Sequence, residues 1–537
     1  MPEQFLHGVE VVEIDDGPRP IRTVKSSIIG LVGTAPRGPV NTPVLIAGSR
    51  IEAVKAFGAP GGGYSIPEAL DGMFDQAGAM VVVINVADPT HLAHLTTVAA
   101  QPMAFDAAGR IDLGRRVVSA VTVLGPVMAD IRLDAAGTIT LPAAANVVEV
   151  GSLSGETVFV LDTDYTAAAG VITRLPGGGI AAGATLLVSY TIALTENVDY
   201  EVDDYAGVIT RKPGGGIVEG ATLDVGFTHL DPAKVLLADV IGGVDEVTGG
   251  YTGLYGLLAA QSVVKVQPRI LIAPRFTHQR PEIDGQVLAS PVVAEMLGIA
   301  NRLRAVIIAD GPNTTDSAAI DYREDFGSAR LFVVDPWVKV WDTATNAAID
   351  QPASARVAGM IARSDNERGF WWSPSNLEMF GIVGTTRPVD FVLGDTNCRA
   401  NYLNENEVAT IIQEDGYRLW GNRTCSSDPK WAFLSVRRTA DMINDSVMRS
   451  HMWAVDRNIV KTYITDVSDG VNAYLRHLTV LGALLGGRCW ADPELNTPDQ
   501  ISQGKVYFDF DFTPPYPAEH ITFRSRMVND YLEELFA

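Results

Sequence analysis

The residues that could do chemistry are few, and their spacing does not assemble a site. His278, Asp310 and many serines supply the side-chain types of a hydrolytic triad. In such a triad a serine attacks while a histidine steadied by a carboxylate takes its proton. No G-x-S-x-G stretch places a serine on a nucleophile elbow. Asp325-Phe326-Gly327 spells the metal-binding tripeptide of protein kinases, yet no H-R-D loop or glycine-rich loop accompanies it. His91 and His94, three apart, could meet on a helix, but with no third ligand they read as a surface pair. Asp199, Glu201, Asp203 and Asp204 cluster as a hard cation would require, but without Ca²⁺-loop spacing they read as a solvated acidic face. Neither G-x-G-x-x-G nor G-x-x-x-x-G-K-[ST] occurs, so no loop is built to cradle phosphate. Cys398, Cys425 and Cys489 are odd in number and read as buried free thiols of a reducing compartment. The expectation is a protein that is not an enzyme, with no catalytic residue, metal or cofactor.

The elements that carry these residues belong to a large chain. Its 537 residues imply three or four domains. With 47% hydrophobic and 20% charged residues the composition is globular. A formal charge of −23 disfavours direct contact with nucleic acid. Met1-Pro2-Glu3-Gln4 does not open a signal peptide, and no apolar run reaches the ~18 residues of a membrane span. The expected place of synthesis is a cytoplasm.

Residues 1–25 read as an extended arm, with Val9, Val11, Val12 and Ile14 giving strand character before Gly17-Pro18-Arg19-Pro20. Residues 26–100 open an α/β domain: strand Ile28 to Val32, capping boxes at Ser49–Glu52 and Ser65–Glu68 ahead of two helices, then strand Met80 to Val86. Residues 101–231 form a β-rich insertion with sixteen acids against seven bases. A repeat runs through it. Gly170-Val171-Ile172-Thr173-Arg174 returns as Gly207-Val208-Ile209-Thr210-Arg211, and Pro176-Gly177-Gly178-Gly179-Ile180 as Pro213-Gly214-Gly215-Gly216-Ile217. Two units are too few for a solenoid, so a small sandwich or barrel is expected.

The α/β pattern resumes over 232–365. Val235 to Val240, Arg269 to Ile272, Ala305 to Ala309 and Leu331 to Val334 read as strands, and Val287 to Leu303 and Ser317 to Phe326 as helices. Residues 366–504 form a C-terminal domain. Within it Gly416 to Arg438 reads as two turns and a strand at Trp431 to Val436, and Val467 to Leu485 as a helix. Residues 505–537 form a second arm: Val506, Phe508, Phe510 and Phe512 alternate with Tyr507, Asp509 and Asp511, and His520 to Arg524, with Ile521 and Phe523, reads as another strand.

Several blocks resemble one family in order along the chain. Ser27-Ile28-Ile29-Gly30-Leu31-Val32-Gly33-Thr34-Ala35-Pro36-Arg37-Gly38-Pro39 resembles the opening of a contractile phage tail sheath subunit. Arg368-Gly369-Phe370-Trp371-Trp372-Ser373-Pro374-Ser375-Asn376 is similar to a second block. Gly416-Tyr417-Arg418-Leu419-Trp420-Gly421-Asn422-Arg423-Thr424 with Trp431-Ala432-Phe433-Leu434-Ser435-Val436-Arg437-Arg438 is similar to the C-terminal domain. Sheaths of phage-like particles such as R-type pyocins share the resemblance.

The resemblance implies a subtilisin-like α/β core with the β insertion outermost and an α+β C-terminal domain innermost. It implies hexameric rings stacked helically around a tail tube, with baseplate and tail terminator proteins as further partners. Assembly would occur in the bacterial cytoplasm and the product would be a virion tail that contracts to drive the tube through a cell envelope. Arms would add strands to neighbouring subunits through Val9, Val11, Val12, Ile14, Val506, Phe508, Phe510, Phe512, Ile521 and Phe523. Between Lys430 and Trp490 eight bases face five acids, so Lys430, Arg437, Arg438, Arg449, Arg457, Lys461, Arg476 and Arg488 are candidates to face the tube. The alternatives are a sheath from a non-phage contractile injection system and a surface- or carbohydrate-binding protein built on the insertion.

Overall fold

The computed structural model describes residues 21–531 except 143, 144, 218, 344 and 530. The arm positions Val9, Val11, Val12 and Ile14 lie outside the described residues. An eight-stranded sheet organises the rest. Across it the strands are Val44–Ala47, Met80–Asn85, Ile28–Gly33, Ile270–Ile272, Val306–Asp310, Leu331–Val334, Val408–Gln413 and Tyr417–Trp420. The six inner strands are parallel and the two outer ones antiparallel. Near-continuous Val, Ile and Leu is what a strand buried on both faces requires. Alternation then sorts the side chains: Ile29 and Leu31 enter one core, Ile28 and Val32 the other. Helices Arg50–Phe57, Ser65–Phe74 and Ser354–Glu367 cover the first face, and Gly256–Val263, Pro291–Leu303 and Asp316–Glu324 the second. The sheet also takes in Val408–Trp420, which the sequence reading assigned to the C-terminal domain.

The insertion leaves this body on two paired strands, Leu95–Ala104 and Thr222–Leu230. It contains a six-stranded antiparallel sheet and two three-stranded sheets. Each small sheet closes a separate apolar core against half of the large one. The 15-residue strand Val118–Arg132 runs through both halves. The neck is clamped to the body: Arg116 donates to the Ala59 and Pro60 carbonyls (2.6 and 3.1 Å), the Tyr64 hydroxyl to Leu230 (2.8 Å), and Arg37 stacks on Tyr205.

The C-terminal part packs helices Leu434–Ser450 and Lys461–Val480 against a two-stranded sheet, Gly486–Ala491 with Phe508–Thr513. Four local expectations are corrected. Trp431 to Val436 is not a strand: Asp428 caps a short turn and helix Leu434–Ser450 follows. Its Leu434 enters the core under the sheet, while Met442 and Ile443 farther along the same helix enter the C-terminal cluster. Val235 to Val240 is likewise not a strand but leads into helix Leu237–Ile241, where Asp239 accepts the Leu236 N–H (2.7 Å). Ser65 does not cap its helix; it lies in the first turn and its hydroxyl accepts the Thr34 N–H (3.0 Å). His520 to Arg524 is not a strand and joins none of the sheets among the described residues.

Candidate assembly surfaces

The reactive side-chain types are used as structural fasteners. Asp310 accepts both the backbone N–H (2.7 Å) and the hydroxyl (2.5 Å) of Ser354 at the start of helix Ser354–Glu367. Complete burial pushes its carboxyl up to about 7. His278 bonds neither residue; it stands edge-on to Trp337, and burial beside Arg275 lowers its imidazole to about 4. Serine and carboxylate thus meet directly, without the intervening imidazole that nucleophile activation requires. Asp325 is paired with Arg280 at 2.9 Å.

His91 and His94 do meet, edge to face with ring centroids 4.6 Å apart, but only His91 is exposed. His94 is buried; its Nδ1 accepts the Asp88 N–H (3.1 Å) and its Nε2 lies 3.3 Å from Asp239. In the acidic cluster Asp199 accepts the N–H groups of Thr195 and Gly216, Asp203 that of Ala206, and Glu201 pairs with Lys212. Among the described residues no group of three His, Cys, Asp or Glu is spaced to hold a metal. All three cysteines are free and buried, and burial pushes the Cys425 thiol up to about 12.

What the chain does assemble is a place where both ends are rooted. Phe508, Phe510 and Phe512 turn towards Phe370, Met442, Val471, Tyr474 and Leu475. These three phenylalanines are half-buried against their own subunit's cluster, which leaves part of each side chain uncovered. Ile21 and Val24 pack on the same cluster from the other terminus. Thr23 bonds the Tyr474 hydroxyl (3.1 Å) and Val24 N–H the Ser446 hydroxyl (3.1 Å).

The two-stranded sheet has unequal edges. Asn472 fills the outer edge of Gly486–Ala491 by bonding both the N–H and C=O of Cys489. Phe508–Thr513 has no second neighbouring strand among the described residues, so its outer backbone groups form an open edge. Beyond it Tyr516 packs edge-on to Phe433, and Glu519 forms a two-pronged ion pair with Arg423 (2.7 and 2.6 Å). Past that pin Ile521, Phe523 and Met527 are exposed, Phe523 by 92% and Met527 by 98%. Such side chains are normally covered by something.

The eight bases fall into two groups. Arg438 is 4% exposed and closes on Asp365 (2.6 Å), so it faces the interior and leaves the tube-facing set. Arg437 is held by Asp441 (2.7 Å) and Arg449 by Asp445 (2.7 Å). Those two aspartates also receive Arg330 and Arg269, which stand at the starts of core strands. Helix Leu434–Ser450 is thus docked on the sheet by buried ion pairs that sequence reasoning missed, because the partners are 111 and 176 residues apart. Lys430, Arg457 and Arg488 stack on Trp431, Trp453 and Trp490, and Lys461 and Arg476 are exposed.

An open strand edge, exposed apolar arm residues and reactive groups tied up in structural bonds define a building block, a subunit made to be joined to others. Residues 249–425 match the phage tail sheath protein central domain, residues 426–527 the phage tail sheath C-terminal domain, and residues 26–86 the N-terminal region of tail sheath protein Gp18 domain III. The chain is 34% identical to the tail sheath protein of Burkholderia phage BcepMu over 99% of this chain and 98% of that one. It is 51% identical to a prophage major tail sheath protein of Pseudomonas aeruginosa (strain UCBPP-PA14) over 55% of this chain and 74% of that one. The anti-feeding prophage helical sheath in its contracted state shares the fold, with a TM-score of 0.53 at 15% identity over 98% of this chain and 100% of that chain. The chain belongs to the tail sheath protein family and is a structural subunit of a contractile tail sheath, with a mixed α/β multi-domain fold.

Proposed function

We propose that copies of this chain join by strand addition, forming hexameric rings that stack helically around a tail tube and contract to drive it through a cell envelope. The carrying observation is the open edge of Phe508–Thr513 beside an arm whose Ile521, Phe523 and Met527 are uncovered. An added strand satisfies the edge's backbone groups, and side-chain pockets supply specificity. An interface that is not self-complementary and does not close yields a helix. The body acts as a subtilisin-like core, with 26–100 and 232–365 divided by an outward-facing 101–231, a tube-facing 366–504 and arms at 1–25 and 505–537. Lys430, Arg457, Lys461, Arg476 and Arg488 are the bases available to an acidic tube surface. Baseplate and terminator proteins would close the stack at its ends, and assembly would take place in the bacterial cytoplasm before the tail joins the virion. The subunit works mechanically, without catalysis.

The test is truncation after Glu519, which leaves Phe508–Thr513 in its own core. The expected product is a folded subunit that forms no tubes in negative-stain electron microscopy. Tubes of ordinary length and order would overturn strand addition by this arm. A cut at Val506 would also remove the strand paired with Gly486–Ala491, so lost tubes would not isolate the arm.

A further inference from the structure

The two lobes of the insertion correspond side chain by side chain. Each core has eleven buried hydrophobic residues, and they pair off in chain order. Ile139 matches Ile111, Val150 Val123, Tyr165 Tyr200, Ile172 Ile209, Leu186 Leu223 and Tyr190 Phe227. The turn chemistry matches as well. Asp134 accepts the N–H groups of Ala136 and Thr138, as Asp106 accepts those of Ala108 and Arg110. Asp164 accepts those of Val160 and Gly179, as Asp199 accepts those of Thr195 and Gly216. A Cβ at Gly178 would stand 2.7 Å from the Asp164 Cα, and one at Gly215 2.7 Å from the Asp199 Cα.

The lobes are not consecutive in sequence. The distal lobe is built from residues 125–192 plus their flanks, and the proximal lobe from chain on both sides of it. Strand pairing identifies the seam. In the distal lobe Gly151 pairs with Val158; at the matching place in the proximal lobe Leu124 pairs with Ala193. Between Gly151 and Val158 the chain makes a six-residue hairpin, in which the Ser152 N–H bonds the Thr157 carbonyl (2.7 Å). Between Leu124 and Ala193 it makes the entire distal lobe.

We propose that the distal lobe occupies a hairpin position of the proximal lobe, and that hairpin 152–157 is the same port left unfilled. The port accepts a folded β-lobe with adjacent ends, a second copy of residues 125–192 being the occupant that fits. Adjacent ends matter because the flanking strands are already paired, so the guest's closure entropy is met by its own fold. The inference follows from the strand pairing and does not depend on where the insertion faces in a sheath.

Two full-length variants test it by amide hydrogen exchange. In the closed variant Ser-Leu-Ser-Gly-Glu-Thr replaces residues 125–192. Strands Val118–Val123 and Thr222–Leu230 are expected to keep their protection. In the extended variant a copy of 125–192 replaces residues 152–157, and the existing distal core is expected to stay protected while a third lobe gains protection. Loss of protection in the host lobe of either variant, or aggregation of the closed one, overturns the proposal. A control joins the same hairpin five residues out of register, replacing 120–187. Equal tolerance of that joint also overturns it, since no seam would then be special.

Discussion

The joint between helix Leu434–Ser450 and the core sheet makes a quantitative prediction. Arg269 and Asp445 have side chains 3% and 2% exposed. Replacing Asp445 by leucine removes the carboxylate and leaves a guanidinium in a nearly dry site. Arg269 still donates to the Leu303 carbonyl (2.6 Å), so it is unpaired but not wholly unsatisfied. Breaking a buried pair from one side costs about 3–5 kcal/mol. The second partner, Arg449, sits one helical turn away and is 38% exposed, so its loss adds about 0.3–0.5 kcal/mol. The double variant Arg269→Met, Asp445→Leu buries no lone charge and should recover most of the loss. Urea denaturation followed by hydrogen exchange of residues 434–450 reads this joint apart from the rest of a multi-domain chain. A cost below about 1 kcal/mol for the single change, or a double variant as unstable as the single, would refute the idea of a charge-locked joint.

Two further perturbations separate other roles. The Arg423–Glu519 pair is 38% exposed on each side, so Glu519→Arg should shift the melting temperature little while impairing tube formation, and adding Arg423→Glu should restore tubes; unimpaired assembly by the single variant would remove the pin from the arm's path. His278 has its pKa lowered from 6.5 to about 4 on folding. Below pH 6.5 the unfolded chain binds a proton that the folded one does not, so this residue makes stability fall as pH drops towards 4. His278→Phe should flatten that limb of a stability-against-pH curve, and an unchanged slope would show that the imbalance lies elsewhere. Asp310, raised to about 7, acts in the opposite sense, so the comparison must be made against the wild-type chain.

The core was readable because parallel strands buried on both faces leave near-continuous apolar runs, as in Met80–Asn85 and Leu331–Val334. The Ser49 cap was readable because its partner, the Glu52 N–H, is three residues away. Trp431 to Val436 misled because six apolar or small residues fit a strand or one end of a helix equally well. The role of the bases was hidden for a different reason. Charge counting treats Arg437, Arg438 and Arg449 as available, whereas the fold pairs Arg438 with Asp365 from 73 residues away and holds Arg437 and Arg449 on Asp441 and Asp445 one helical turn off, carboxylates that Arg330 and Arg269 also reach from far along the chain. The repeat was visible as recurring Gly-rich turns, but the nesting was not, because it resides in which strands pair.

The shared root of the two termini ties the ends of the chain together. Ile21 and Val24 near one end, and Phe508 to Phe512 near the other, grip the same small cluster around Phe370 and Tyr474. Segments about 480 residues apart in sequence are thereby fastened to one knot of side chains, with the Arg423–Glu519 pair as a second fastening on the C-terminal side.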